Sequence, residues 1–155
     1  MLHKSLGLVR PGDVLVVDTC GCRTNSILGE LIATAAFSAG LAGIVIDGGI
    51  RDIRELREHG FPIFARFITP AVGDKDGPGE INYPISCGGV PVHPGDIVVG
   101  DENGVVVVPP QDAQAVLEGA KKKQEYEKKR MQAIRDGVLV NPSIDQQLRS
   151  KGVIA

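Results

Sequence analysis

Between Gly43 and Gly60 the chain reads GIVIDGGIRDIRELREHG. A β-branched apolar run ends against Asp47-Gly48-Gly49, and charged residues at helical spacing follow until another glycine. Such a run reads as a buried strand handing over to a short helix. A strand apolar on both faces needs cover on both sides, as in an α/β domain. The flanks supply it. RPGDVLVVD predicts a turn at Pro11-Gly12 and a second buried strand, Val14 to Val17, with Asp18 at its end. TNSILGELIATAAFSAG predicts an amphipathic helix, with Ser26 offering an N-cap, Leu28, Leu31, Ile32, Ala35 and Ala39 at helical spacing, and Gly40 as the stop. FPIFARF, after Gly60, is a third strand. Strand, helix, strand, helix, strand predicts parallel pairing.

Farther on the pattern changes. Thr69 to Pro84 is rich in Gly, Pro and Asp and predicts a long loop. GGVPVHPGDIVVGDENGVVVVPP holds two valine-rich strands, with Asn103-Gly104 expected at the hairpin turn and Asp101 and Glu102 as turn residues. Gln111 to Asp136 predicts a helix that Gly137 ends, on the order of 35–40 Å long. Its Ala113, Val116, Leu117, Ala120, Tyr126, Met131 and Ile134 need cover, so this helix and the apolar tail, residues 143–155, are expected at a subunit interface. The 155 residues are expected to form one domain.

A formal net charge of −2 gives no global positive field, which argues against a nucleic-acid partner. The lysines of the long helix alternate with Glu125 and Glu127 and read as a solvated face. Three cysteines leave one over in any disulfide scheme, and no apolar run reaches membrane-spanning length. These features predict a soluble protein of the cytoplasm.

In alternating α/β chains a ligand sits beyond the carboxyl ends of parallel strands. Arg51 and Asp52 fall there, with the adjacent glycines expected to let backbone approach a ligand. Arg51 presents a planar fork suited to a carboxylate or phosphate. Asp52 suits a hard divalent cation that keeps several waters, which is the habit of Mg²⁺, although Mn²⁺ takes the same ligands. Gly29-Glu30 opens a helix whose N–H groups, around Leu31 and Ile32, can bind an anion. The pattern is thus Glu30, twenty residues, Arg51-Asp52, two residues, Glu55. Ordinary helix-start charges are the alternative account of Arg51, Asp52 and Glu55.

GELIATAAFSAGLAGIVIDGGIRDIRE, FPIFARFITP and VHPGDIVVGDENGVVVVP together resemble the RraA-like proteins, in particular the branch containing 4-hydroxy-4-methyl-2-oxoglutarate aldolase. The resemblance runs from about Pro11 to the C-terminus. It implies an α/β fold of the swivelling β/β/α type, with a mixed sheet, flanking helices and a long C-terminal helix, assembled as trimers or hexamers with sites between subunits. It implies Asp52 as direct metal ligand and Arg51 as the residue binding the pyruvyl carboxylate. Gly29, Leu31 and Ile32 would line the substrate site, and Glu30 would hold metal-bound water. Glu55 would lie nearby, with Glu127 contributed by a neighbouring subunit and Glu125 as the alternative. The implied chemistry is cleavage of 4-hydroxy-4-methyl-2-oxoglutarate to two pyruvates, with oxaloacetate decarboxylation as a related activity. The resemblance also implies a further N-terminal segment ahead of the RPGDVLVVD strand, as is usual in such proteins, whereas here ten residues precede Pro11. The competing expectation is the family's non-enzymatic branch, which binds and inhibits a ribonuclease.

Overall fold

The computed structural model describes residues 1–74, 77–141 and 143–154. They divide into two units, Met1–Pro110 and Gln111–Ala155. The first opens with α1 (Leu2–Ser5), β1 (Val14–Asp18) and β2 (Ser26–Leu28), followed by α2 (Glu30–Ser38), β3 (Gly43–Ile50), α3 (Ile53–His59) and β4 (Ile63–Ile68). Two hairpins complete it, β5 (Ile85–Cys87) with β6 (Val90–Val92), and β7 (Ile97–Asp101) with β8 (Gly104–Val108). The second holds α4 (Ala113–Arg135) and α5 (Ser143–Ser150).

The apolar run at Gly43 becomes the central strand of a four-stranded parallel sheet. β4 pairs with β3 from Ile44 to Ile50, so β1 and β2 share the other edge, β1 against Gly43–Asp47 and β2 against Gly49 and Ile50. A strand paired on both edges leaves little backbone unsatisfied, which is what a run of Ile and Val can tolerate in a core. Ile44 and Ile46 of β3 join Leu28, Leu56, Leu41 and Phe61 and the small inner face of α2, Ile32, Ala33 and Ala36.

The N-cap of α2 lies three residues beyond the expected Ser26, at the Gly29-Glu30 step that the sequence also marks as a helix start. Ser26–Leu28 is a strand, the helix starts at Glu30, and Gly29 is its N-cap. Pairing with the end of β3 takes these residues and fixes the helix phase, so Ile32, Ala33 and Ala36 face inward while Leu31 stands 82% exposed. β3 is also longer than expected, running through Asp47, Gly48 and Gly49 to Ile50.

The β7–β8 hairpin forms as expected, with a one-residue shift in its turn. Asp101 faces Gly104, so Glu102 and Asn103 are central, and the Asp101 carboxylate accepts the Asn103 backbone N–H at 2.8 Å. That bond holds the Asp101 carboxyl below the usual carboxylate range. In the β5–β6 hairpin Gly88 and Gly89 both take positive φ, 63° and 82°, as a two-residue turn of the primed type requires. Asp47 anchors this hairpin, pairing with Arg66 and accepting the Gly88 N–H at 2.7 Å.

In the second unit α4 buries none of its residues. Its basic stretch is laced with ion pairs, Lys123 to Glu127 and Lys128 to Glu125. After Gly137 the chain folds back, and Arg130 donates to the carbonyls of Val138 and Leu139 at 2.7 and 2.6 Å. No helix of the described residues is long and apolar enough to cross a membrane.

Leu28, fully buried beneath β3 and α2, is a sensitive point of this arrangement. Leu28→Ala is expected to lower stability by about 2–5 kcal/mol, read as a reduced urea midpoint at unchanged slope.

Candidate functional site

The end of β3 carries Arg51 and Asp52, and β2 delivers Gly29 and Glu30 beside them. The register that seats Leu28 on Ile50 continues one step, with the Arg51 N–H donating to the Leu28 carbonyl at 3.0 Å. Residues separated by twenty others in sequence therefore arrive at one place because two neighbouring parallel strands end there.

Asp52 adopts a left-handed backbone conformation, φ 58° and ψ 43°, which Asp tolerates better than most residues. Its Oδ2 accepts the backbone N–H of Glu30 at 2.9 Å. The first turn of α2 is thus capped from another element, since its own N-cap is a glycine without a side chain. Glu30 is engaged through its backbone in this contact. The next two N–H groups, of Leu31 and Ile32, also lie in the first turn and have no helical carbonyl to bond.

Arg51 Nε lies 3.5 Å from Asp52 Oδ2, with the two side chains 28% and 38% exposed. Its Nη1 reaches Ser26 Oγ at 3.4 Å. The guanidinium lies against the backbone of Gly29, where an added Cβ would overlap the Asp52 carboxylate and come 2.8 Å from Arg51 Cζ. Glycine at 29 is required for this close approach. Gly48 and Gly49 serve packing instead of a ligand. A Cβ at Gly48 would meet Thr19, and one at Gly49 would meet the Phe67 ring and the Asn25 carbonyl.

Glu55 points elsewhere. Its Oε1 takes Nε and Nη2 of Arg54 at 3.2 and 2.8 Å. Its own backbone N–H, and then Arg54, hold its carboxyl below the usual range. Glu55, Glu30, Glu58 and His59 line a shallow hollow of about 200 Å³ between α2 and α3. Glu127 and Glu125 belong to the second unit, each paired with a lysine. Asp47, where the apolar run of the sequence ends, is committed to Arg66 and the Gly88 N–H. Sequence reasoning missed Ser26 as a neighbour of Arg51, because a serine ahead of a helical pattern fits an N-cap equally well.

A larger cavity, about 720 Å³, opens between the sheet and the two hairpins. Val16, Val45, Phe64, Val92 and Val105 line it, and its charged part is the Asp47–Arg66 pair. At the Arg51–Asp52 corner, by contrast, a charged fork, a carboxylate and the N–H groups of a helix start meet.

Among the described residues no group of three or more His, Cys, Asp and Glu side chains is arranged to hold a metal ion. The corner offers a single carboxylate, Asp52. That donor set fits a hard, largely hydrated divalent cation and does not fit zinc held wholly by protein ligands.

A parallel sheet with a conjoined Arg-Asp at the tip of its central strand, facing a helix N-terminus, defines an α/β protein with charged groups of both signs at one corner. The family described as RraA-like, aldolase/RraA, matches residues 1–107, and the chain belongs to that family. It is 48% identical over 136 residues to a Halalkalibacterium halodurans protein provisionally named 4-hydroxy-4-methyl-2-oxoglutarate aldolase, covering 88% of this chain and 65% of that one. To the Thermus thermophilus protein named 4-hydroxy-4-methyl-2-oxoglutarate aldolase it is 39% identical over 109 residues, 70% of this chain and 66% of the other. Among solved structures it is similar to Streptomyces coelicolor RraAS2, described as an unusual member of the RNase ES inhibitor RraA protein family. There the TM-score is 0.76 at 39% identity, covering 82% of this chain and 65% of that chain. The chain thus spans about two thirds of the length of these relatives.

Because Asp52 caps α2 from a left-handed position, Asp52→Ala loses the cap and strains the backbone. A stability loss of about 1–2 kcal/mol is expected in urea melts, and a smaller one for Asp52→Asn.

Proposed function

We propose that the chain is a divalent-cation-dependent carbon–carbon lyase acting on pyruvyl compounds. It would cleave 4-hydroxy-4-methyl-2-oxoglutarate to two pyruvates and convert oxaloacetate to pyruvate and carbon dioxide. The observation that carries this reading is the juxtaposition of Arg51, Asp52 and the first turn of α2. A 2-keto acid needs a cationic fork for its carboxylate and positive charge where its keto oxygen gains electrons.

Both reactions break the bond between C3 and C4 and leave the electron pair on C3 as pyruvate enolate. In the retro-aldol reaction the C4 hydroxyl loses its proton as that carbon becomes the keto carbon of the second pyruvate. In oxaloacetate C4 departs as carbon dioxide. A proton then adds to C3. Asp52 would hold a divalent cation, Mg²⁺ or Mn²⁺, which supplies Lewis-acid stabilisation of the enolate charge.

Arg51 binds the pyruvyl carboxylate and keeps its charge beside the reacting carbons. It is already oriented by Asp52, Gly29 and the β2 backbone, so little side-chain freedom is lost on binding. The N–H groups of Leu31 and Ile32 offer further donors to an anionic substrate oxygen. Gly29 keeps the floor of the site flat, and Glu30 would provide a carboxylate to order water at its rim, whereas Glu55 is turned to Arg54.

The reading includes a trimer or hexamer whose neighbouring subunit contributes a carboxylate, Glu127 or Glu125. Val116, Leu117, Tyr126 and Met131 on α4 are all about half exposed, and an assembly would cover them. Sedimentation of the protein is expected to give three or six times the chain mass, and a monomer would exclude a site shared between subunits.

The similarity to RraAS2 favours a second reading, a regulator that binds a ribonuclease. The two separate in an assay of pyruvate release from oxaloacetate with and without Mg²⁺ or Mn²⁺. Metal-dependent turnover above that of the metal alone is expected. Arg51→Ala is expected to lower kcat/KM about 10²–10³-fold, and Asp52→Ala to abolish the metal response. A folded protein without turnover that slows ribonuclease cleavage would instead establish the regulator.

A further inference from the structure

We infer that Ser26 is a positioning residue for Arg51, acting through its hydroxyl to fix the guanidinium over Gly29. The inference rests on the reading of Arg51 as the group that receives the substrate carboxylate.

Ser26 is 1% exposed, and its hydroxyl must be bonded to be tolerated there. Its Oγ donates to the Ala71 carbonyl at 2.9 Å, and Arg51 Nη1 donates to the same Oγ at 3.4 Å. The hydroxyl therefore stands between the start of the loop after β4 and the tip of the guanidinium. Holding that loop does not require the side chain. The Ser26 N–H already donates to the Ala71 carbonyl at 2.7 Å, and Gly73 N–H donates to the Ser26 carbonyl at 3.2 Å. With the backbone making the stitch, Ala71 keeps a donor even without the hydroxyl. The contact with no substitute is the one to Arg51.

Three directions fix the guanidinium: Asp52 on Nε, Gly29 beneath, and Ser26 on Nη1. Asp52 would be shared with the cation, so Ser26 is the neutral support that stays in place whatever Asp52 binds. A hydroxyl can do this without competing for the charge that Arg51 offers to the substrate. The 3.4 Å separation makes it an orienting contact and a weak bond.

The test combines kinetics with a side-chain signal that does not need turnover. In Ser26→Ala, KM for oxaloacetate is expected to rise about tenfold while kcat stays within about threefold, and Ser26→Thr, which keeps the hydroxyl, is expected to restore KM. In an Arg51→Lys background, Ser26→Ala is expected to change KM less than about twofold, because the effect travels through Arg51. The Arg51 Nε–Hε cross-peak in a ¹⁵N spectrum, assigned by its loss in Arg51→Lys, is expected to shift and broaden in Ser26→Ala while the amides of β2 and α2 stay in place. An unmoved Arg51 signal, or an equal KM rise in both backgrounds, would overturn the proposal. Should the parent protein release no pyruvate, the lyase reading falls and the Arg51 signal alone decides whether Ser26 positions it.

Discussion

The parallel pairing of β3 with three other strands is the constraint on which the first unit depends. β4 holds one edge of β3, while β1 and β2 divide the other, so the strand is committed along its length. Gly48 and Gly49 allow this where the sheet is most crowded, because Thr19 and Phe67 occupy the space that side chains there would need. Ile44 and Ile46 bind α2 and α3 to the same strand through the core. The sheet therefore also places the next two residues of the chain, Arg51 and Asp52.

The corner that results is built from groups that already neutralise one another. Arg51 lies beside Asp52, and Asp52 satisfies the first N–H of α2. An anion arriving there would meet a guanidinium whose counter-charge sits to one side, and a cation would meet a carboxylate already oriented by the helix. Such preorganisation reduces the ordering cost when a small charged ligand binds. The capping contact also links the site to stability, since the carboxylate suited to a cation also closes the end of a helix.

Sequence reading recovered the strands and helices wherever periodicity ran for a full element. GIVI and FPIFARF lie where the pattern puts them, and the long helix, expected from Gln111 to Asp136, runs from Ala113 to Arg135. It failed at Ser26–Leu28, since a three-residue strand has no period to detect and its serine fits a helix cap equally well. The pairing of β2 with β3 decides that case, and pairing is a long-range fact. Glu30, Arg51 and Asp52 could be grouped by spacing, yet their contacts could not be assigned. That Glu30 engages through its backbone, that Glu55 turns to Arg54, and that Asp47 serves a hairpin all depend on which side each chain segment presents. The left-handed φ of Asp52 leaves no trace in composition.

The twenty residues between Glu30 and Arg51 comprise a helix that leaves the corner, a turn at Gly40, and a strand that returns to it. Chemistry sets only the two ends of that excursion. A chain with one more helical turn in α2 and a matching lengthening of the return strand would arrive at the same corner with a different count. The interval is therefore a measure of how far helix and strand extend along the sheet, and a chain with longer elements would keep the Arg-Asp corner while escaping any search for the spacing.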